Sequence, residues 1–371
     1  PFRLQLLVQR AVGAVDKAFL TFDLDYRLPD SYIAAPKATA PVVDKSDEAA
    51  AKRDLWQRIW RDRAVEIGVL LAMLLLLTGT FFFQFQATLN ERRFYWFRTA
   101  FLVMTLVFIG WYANAQLSVV NLISLGAALR SGFTWDAFLL DPLVFIQWFA
   151  VAASLIFWGR GAYCGWLCPF GALQELSNHL GRALGLPQWR LPWSLHERLW
   201  PIKYMLFLGL FGASLYSVGL SEKLAEVEPF KTAIILKFMR DWPFVIYVLV
   251  LLVIGMFVER FYCRYLCPLG AGLAIPARIR MFDWLRRYKE CGSPCQTCAI
   301  ECPVQAIHPT GEINPNECVN CLHCQVLYQS EDRCPVVIQK LKRRARQRAA
   351  NEASGAAMDR LLADTDKRKE T

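Results

Sequence analysis

Eight of the twelve cysteines fall between Cys291 and Cys334, and that stretch constrains the fold more tightly than any other. They form two runs, each closing on Cys-Pro: Cys291, Cys295, Cys298 and Cys302-Pro303, then Cys318, Cys321, Cys324 and Cys334-Pro335. A cubane iron–sulfur cluster needs four converging thiolates; short spacings on a tight loop supply three, and a distant Cys-Pro the fourth. In the bacterial two-cluster pattern the fourth cysteine of each run ligates the other cluster. Cluster one then takes Cys291, Cys295, Cys298 and Cys334, and cluster two takes Cys318, Cys321, Cys324 and Cys302. The first run, C-x3-C-x2-C-x3-C-P, is one residue longer than the usual opening. The second, C-x2-C-x2-C-x9-C-P, carries an insertion from Gln325 to Arg333. Both changes lengthen loops at small entropic cost and remove no thiolate. Zinc ribbons also pair cysteines, but they do not explain two Cys-Pro endings. A disulfide framework would need an oxidising compartment, and a c-type haem is excluded because C-x-x-C-H does not occur.

A charge of +10 on 371 residues could point to nucleic acid, so the position of the charges decides. They gather beside apolar runs and in the C-terminal third, in a chain that is 55% hydrophobic. That is the layout of a polytopic membrane protein with basic cytoplasmic loops. The start at Pro1, with no Met and no signal-peptide layout, reads as a fragment or a processed form.

Residues 1–64 read as a periplasmic segment and linker. Phe2–Leu20 shows apolar residues at helical spacing and predicts a short amphipathic helix, and Pro29–Pro41 predicts a linker. Five charge-free apolar runs follow: Ile67–Asn90, Thr99–Leu129, Pro142–Gly159, Tyr204–Ser221 and Trp242–Val258. Each can supply one transmembrane helix of ~17–25 residues, with a loop around Asn114–Asp141. The expected order is transmembrane helices 1–3 over 65–160, a cytoplasmic loop over 161–203, helices 4–5 over 204–260 and a second cysteine motif over 261–285. A ferredoxin-like domain over 286–338 and a basic cytoplasmic tail over 339–371 complete it. The fold class is thus membrane all-α, with a C-terminal cytoplasmic two-cluster ferredoxin-like domain. Arg160, Arg182, Arg190, Arg198 and Lys203 lie in one loop, and Arg260 to Lys289 after the last span. The positive-inside rule puts these in the cytoplasm and residues 1–64 in the periplasm of a bacterial inner-membrane protein. Lys52, Arg53, Arg58, Arg61 and Arg63 run against that assignment.

The four remaining cysteines form a repeat. Tyr163-Cys164-Gly165-Trp166-Leu167-Cys168-Pro169 matches Tyr262-Cys263-Arg264-Tyr265-Leu266-Cys267-Pro268, 99 residues later. Each motif follows an apolar span, which predicts a parallel two-helix repeat. Proline disfavours helix at the residue before it, so the second cysteine of each motif falls at a break. Cysteine is a common small apolar residue in membrane cores, but identical spacing twice argues for chemistry. Redox-active thiols and a third metal centre held by Cys164, Cys168, Cys263 and Cys267 both remain open. His179, His196, His308 and His323 have no partner at i+4 and lie outside the spans, so a bis-histidine haem is unsupported; His323, between cluster ligands, could tune a potential. The tail Lys340–Arg348 meets anionic lipid more readily than nucleic acid, since no recognition motif accompanies it. Beyond Ala349 it is expected to be mobile or loosely helical.

Taken together, YCGWLCPFGALQEL, FYCRYLCPLGA, CGSPCQTCAIECPVQAIHPTGEINPNEC and CLHCQVLYQSEDRCPVV resemble the C-terminal half of the NosR/NirI family of membrane flavo-iron–sulfur proteins. The stretched last spacing favours it over the related quinol dehydrogenases and oxidase-assembly proteins. The resemblance covers most of the chain. It implies an electron-transfer role supporting periplasmic nitrous oxide reductase or its maturation system in denitrification, and a role in expressing that operon. It also implies FMN in a periplasmic domain. No such domain or threonine flavinylation motif occurs here, and Thr78-Gly79-Thr80 lies inside an apolar run. The electron donor would be a quinol or a cytoplasmic carrier, so a quinol-oxidising enzyme component is one reading. A membrane redox sensor is the alternative, using the same cysteines. An alkaline-phosphatase fusion at the C-terminus is expected to be inactive; an active fusion would reverse the topology.

Overall fold

The computed structural model describes residues 2–11, 17–26, 55–131, 138–293 and 295–369. The chain forms two compact units, Pro1–Leu55 and Trp56–Thr371. In the first, the expected amphipathic helix is replaced by an antiparallel hairpin of β1 (Phe2–Ala11) and β2 (Lys17–Tyr26). The register explains why. Phe2, Leu4, Leu6 and Val8 stand opposite Tyr26, Leu24, Phe22 and Leu20. The period-two pattern of both segments thus outweighs the helical spacing read from the first alone. The Pro29–Pro41 linker lies outside the described residues.

The second unit is helical. Its long elements are α1 (Ala64–Phe82), α2 (Glu91–Met104, continued by a π-helical stretch to Tyr112), α3 (Val119–Ser131), α4 (Pro142–Phe157), α5 (Pro169–Ala183), α6 (Pro201–Tyr216) and α7 (Trp242–Phe257). Then come α8 (Phe261–Tyr265), α9 (Pro268–Ala277), α10 (His323–Gln329) and α11 (Pro335–Lys369). All five apolar runs contain a helix. Among the described residues three helices are long and apolar enough to cross a membrane: Ala64–Phe82, Glu91–Tyr112 and Trp193–Tyr216. The 16 residues of α4 and of α7 rise about 24 Å at 1.5 Å per residue, short of a ~30 Å hydrocarbon core. Much of the expected loop after Asn114 is helix α3. All five helices expose large apolar side chains, among them Leu75, Val107, Phe149, Leu208 and Val253. Such a surface is costly in water and suits lipid. The tail continues as helix through Lys369, in a segment rich in Ala, Arg, Lys and Leu, all strong helix formers.

The centre of this unit is α5. Its Phe170, Ala172, Gln174, Glu175 and Asn178 are buried, and it packs against α2 and α7. Glu175 joins them. Arg98 of α2 donates to Oε1 from Nε (2.8 Å) and to Oε2 from Nη2 (2.9 Å). Arg260, just before α8, donates to Oε2 from Nε (2.8 Å) and from Nη2. The same guanidiniums donate to the carbonyls of Cys164 and Gly165. Burial alone would raise the Glu175 pKa, but Arg98 and Arg260 hold the carboxyl well below the usual carboxylate range. Arg260 sits in the left-handed region at φ 54°, a cost of roughly 1–2 kcal/mol that its hydrogen bonds offset. Glu175→Gln would leave two buried guanidiniums short of their counter-charge, a loss of about 3–5 kcal/mol. A clear drop in the unfolding temperature of the detergent-solubilised protein is expected; an unchanged temperature would show that the clamp is dispensable.

Candidate metal centres

The eight C-terminal cysteines line two small cavities in crossed sets. One is lined by Cys291, Cys295, Cys298 and Cys334, the other by Cys302, Cys318, Cys321 and Cys324. Among the described residues no group of three Cys, His, Asp or Glu is arranged to hold a single metal ion. The thiols instead surround enclosed spaces lined almost wholly by apolar atoms, the setting a polynuclear cluster requires. Four-thiol cradles of this kind fit iron–sulfur cubes. They would bind through thiolates, and burial pushes Cys298 and Cys318 up to about 11 and Cys321 up to about 12. Cluster loading therefore releases protons.

Local backbone chemistry makes these cradles. At Gly292 (φ 105°) a Cβ would lie 1.8 Å from the Thr310 carbonyl oxygen, so the first turn requires glycine. Leu322 enters α10 in the left-handed conformation. The insertion Gln325–Arg333 has a structural use: most of it is α10, which buries Gln325, Val326 and Leu327 and returns the chain to Cys334. It also docks the cradle. Gln329 donates to the Phe85 carbonyl (3.1 Å) and Thr88 Oγ1 (2.6 Å), and Arg333 pairs with Glu91 (2.9 Å). On the opposite side Lys203 donates to the buried Glu317 (2.5 Å), with Arg160 at 3.7 Å. Arg98 faces Cys321, Arg264 faces Cys302, and Arg160 and Arg280 face Cys318, each favouring the thiolate.

The C-x3-C-P cysteines form a third set. Both second cysteines are extended and cap the helix that follows: Cys168 Sγ accepts from Gly171 N–H (3.4 Å), Cys267 Sγ from Gly270 N–H (3.3 Å). The break expected before each proline is present. The four thiols are near neighbours. Burial, with Cys168 and Cys164 nearby, pushes Cys263 up to about 12; Cys267 is raised by burial and then by Cys263, Glu228 and Cys164. Two arginines cross between the motifs. Arg260 lies 3.3 Å from where a Gly171 Cβ would stand, and Arg160 lies 3.2 Å from the same point at Gly270.

The third set shares an apolar cluster with the second. Cys164 packs against Val304, Ala306 and Val319, together with Cys302, Cys318 and Cys321. Trp166 Nε1 donates to the Asn320 carbonyl (2.9 Å), and Asn320 Nδ2 to the Trp158 carbonyl (3.0 Å). A Cβ on Gly165 would stand 1.8 Å from the Val319 carbonyl oxygen. The second motif has Arg264 at the matching place, where no such approach is made. His323 lies 3.5 Å from Glu301, and no other histidine joins it. Sequence reading missed Arg98, Arg160, Glu175, Arg260 and Glu317, because their partners are remote in the chain. None of these residues carried a local sign of its partner.

The profile of the NosR family matches residues 289–345, and a 4Fe-4S binding domain matches twice, over 140–187 and 241–287. The chain is 53% identical over 350 residues to "Regulatory protein NosR" of Stutzerimonas stutzeri, covering 94% of this chain and 48% of that protein. It is 49% identical over 351 residues to "Protein NirI" of Paracoccus denitrificans, covering 94% and 49%. A "Regulatory protein NosR" sequence from Pseudomonas aeruginosa is 60% identical over 87 residues, 24% of this chain and 87% of that sequence. The chain spans about half the length of the two longer relatives. No solved structure matches. Identity of 60% over 87% of a NosR sequence, together with high identity to longer NosR and NirI proteins over nearly the whole of this chain, makes this chain a member of the NosR/NirI family.

Proposed function

We propose that the chain conducts electrons across the bacterial inner membrane through two 4Fe-4S clusters and a third centre at Cys164, Cys168, Cys263 and Cys267. Cluster one is assigned to Cys291, Cys295, Cys298 and Cys334, cluster two to Cys302, Cys318, Cys321 and Cys324. The observation that carries this is contiguity: Cys164 of the third set packs into the same apolar cluster as Cys302, Cys318 and Cys321. Tunnelling between centres needs short, dry separations, and an apolar contact supplies one. A cluster supplies the one-electron chemistry; the protein positions it and sets its potential. The buried arginines beside cluster two offset its negative charge and favour reduction.

In this reading α4 and α7 complete a set of five spans, with aromatic and basic flanks making up their short length. The C-terminal cradles lie in the cytoplasm and residues 1–64 in the periplasm. The order α4, C-x3-C-P, α5 recurs as α7, C-x3-C-P, α9, which supports the parallel repeat. The acceptor side is periplasmic nitrous oxide reductase or its maturation system, reached through the family's FMN-bearing segment. The relatives' name "Regulatory protein" favours a second reading, in which the same centres report redox state and support expression of the operon.

Iron and sulfide quantification with anaerobic EPR tests the centres: about eight irons correspond to two cubes and about twelve to three. Colourless protein containing zinc and no iron would sink the proposal. Paired Cys164→Ala and Cys263→Ala should abolish nitrous oxide reduction and leave operon transcription normal, whereas loss of transcription alone would favour sensing. Gly165→Ala should keep the two ferredoxin clusters and slow electron passage out of cluster two, by roughly tenfold for an ångström-scale displacement of the contact. Unaltered single-turnover rates would remove Cys164 and Val319 from the route.

A further inference from the structure

A cavity of about 670 Å³ lies among α2, α5 and the segment that follows α5, and it reaches Cys302 and Cys321 of the second thiol set. Its charges do not balance. The four carboxylates in its wall are already paired: Glu91 and Glu301 with Arg333, Glu175 with Arg98 and Arg260, and Glu259 with Arg182. Arg92 and Arg190 stand exposed in the same wall, and among the described residues neither meets a carboxylate. Polar atoms are left over as well. Arg98, Thr99, His179 and Arg264 line the cavity, and Arg98 Nη1, Thr99 Oγ1, His179 Nδ1 and Arg264 Nε are buried without a hydrogen-bond partner. Each of these atoms can donate, and leaving a buried donor unpaired is costly. Surplus cations and idle donors together call for an anion. The donors stand on α2, on α5 and in the second C-x3-C-P motif, so they approach from separate elements. A tetrahedral oxyanion offers acceptors in several directions, whereas a carboxylate offers two oxygens in one plane, and guanidinium groups suit phosphoryl oxygens. Tyr95 and Trp189 also line the cavity and are 47% and 62% exposed, which leaves it open to the rest of a larger molecule.

We propose that this cavity binds a phosphoryl group, and that the occupied site holds back electron arrival at the centre of Cys302, Cys318, Cys321 and Cys324. Arg98 faces Cys321 and Arg264 faces Cys302, so both cations serve the cradle and the cavity at once. An anion in the cavity offsets part of their charge and disfavours the more negative, reduced cluster. By linkage, the reduced protein binds the anion more weakly by the same factor. Roughly tenfold tighter binding to the oxidised protein corresponds to a midpoint potential about 59 mV lower for a one-electron couple. The linkage rests on the electron-transfer reading above; the binding site does not.

The test uses the full chain, purified anaerobically in detergent without phosphate. Its unfolding temperature is followed as inorganic phosphate is added at constant ionic strength, or as dioleoyl phosphatidic acid is added in mixed micelles with dioleoylglycerol as the headless control. A ligand of the folded state raises that temperature saturably. A response to inorganic phosphate identifies a soluble source, and a response to phosphatidic acid alone identifies a lipid headgroup. An Arg92→Gln/Arg190→Gln double variant should need roughly tenfold more ligand or worse, and Thr99→Val, which keeps the shape and removes the hydroxyl, several-fold more. Both variants should keep the iron content of the wild type. No response to either ligand, or equal half-saturation in the wild type and both variants, overturns the site. An EPR redox titration of the wild type, with and without the ligand that binds, then reads the fall in potential. An unchanged potential overturns the linkage. Protein without iron removes the electron-transfer reading and the linkage with it, and the unfolding temperatures still decide the site.

Discussion

The structure of the membrane-associated unit depends on one buried carboxylate. Glu175 takes hydrogen bonds from Arg98 and Arg260, which lie on either side of it in the sequence, in α2 and just before α8. Neither cation could be buried alone, because an unpaired charge in an apolar interior costs several kcal/mol. Paired through Glu175, Arg98 also donates to the Gly165 carbonyl and Arg260 to the carbonyls of both Cys164 and Gly165. The clamp therefore does more than close a helix bundle. It holds the backbone of the first C-x3-C-P motif in the conformation that presents Cys164, and it draws in the residue that opens the second motif.

From that fixed point the asymmetry of the repeat follows. Among the positions where the two motifs differ, one decides the fit: Gly165 against Arg264. The glycine leaves room for the Val319 carbonyl, so the C-terminal cradle seats on the first motif. The arginine instead reaches outward to His196 and Gln305, holding the cradle from the side. Helix α10 and the Lys203–Glu317 pair fasten it at two further points. A module that could have been a detached carrier is thereby held against the apolar helices, with one of its thiol sets packed on the apolar cluster that Cys164 also lines.

Charge placement serves the same end. An iron–sulfur cube with four thiolates is an anion, and the second cradle is ringed by Arg98, Arg160, Arg264 and Arg280. Arg98, Arg160 and Arg264 are buried, where an unpaired charge would be costly. A negative centre would complete their pairing. The first cradle has fewer such neighbours, which predisposes the two centres to different potentials.

How much of this could be read beforehand differs by feature, for physical reasons. The crossed cysteine sets were legible because cluster ligation demands fixed spacings that few other structures need. The apolar runs were legible because lipid demands long uncharged helices, although run length overstated how many would reach full spanning length. The N-terminal hairpin was misread, since its first strand alone fits a helical period and only pairing with the second reveals the alternation. Glu175, Arg260 and Gly165 carried no local signal, because a buried ion pair or a glycine-sized gap is defined by what packs opposite it. Sequence alone therefore determined which cysteines of Cys291–Cys334 stand together, through the spacing of two Cys-Pro-closed runs. Tertiary structure decided that this chemistry meets Cys164, because that meeting depends on contacts between segments more than a hundred residues apart.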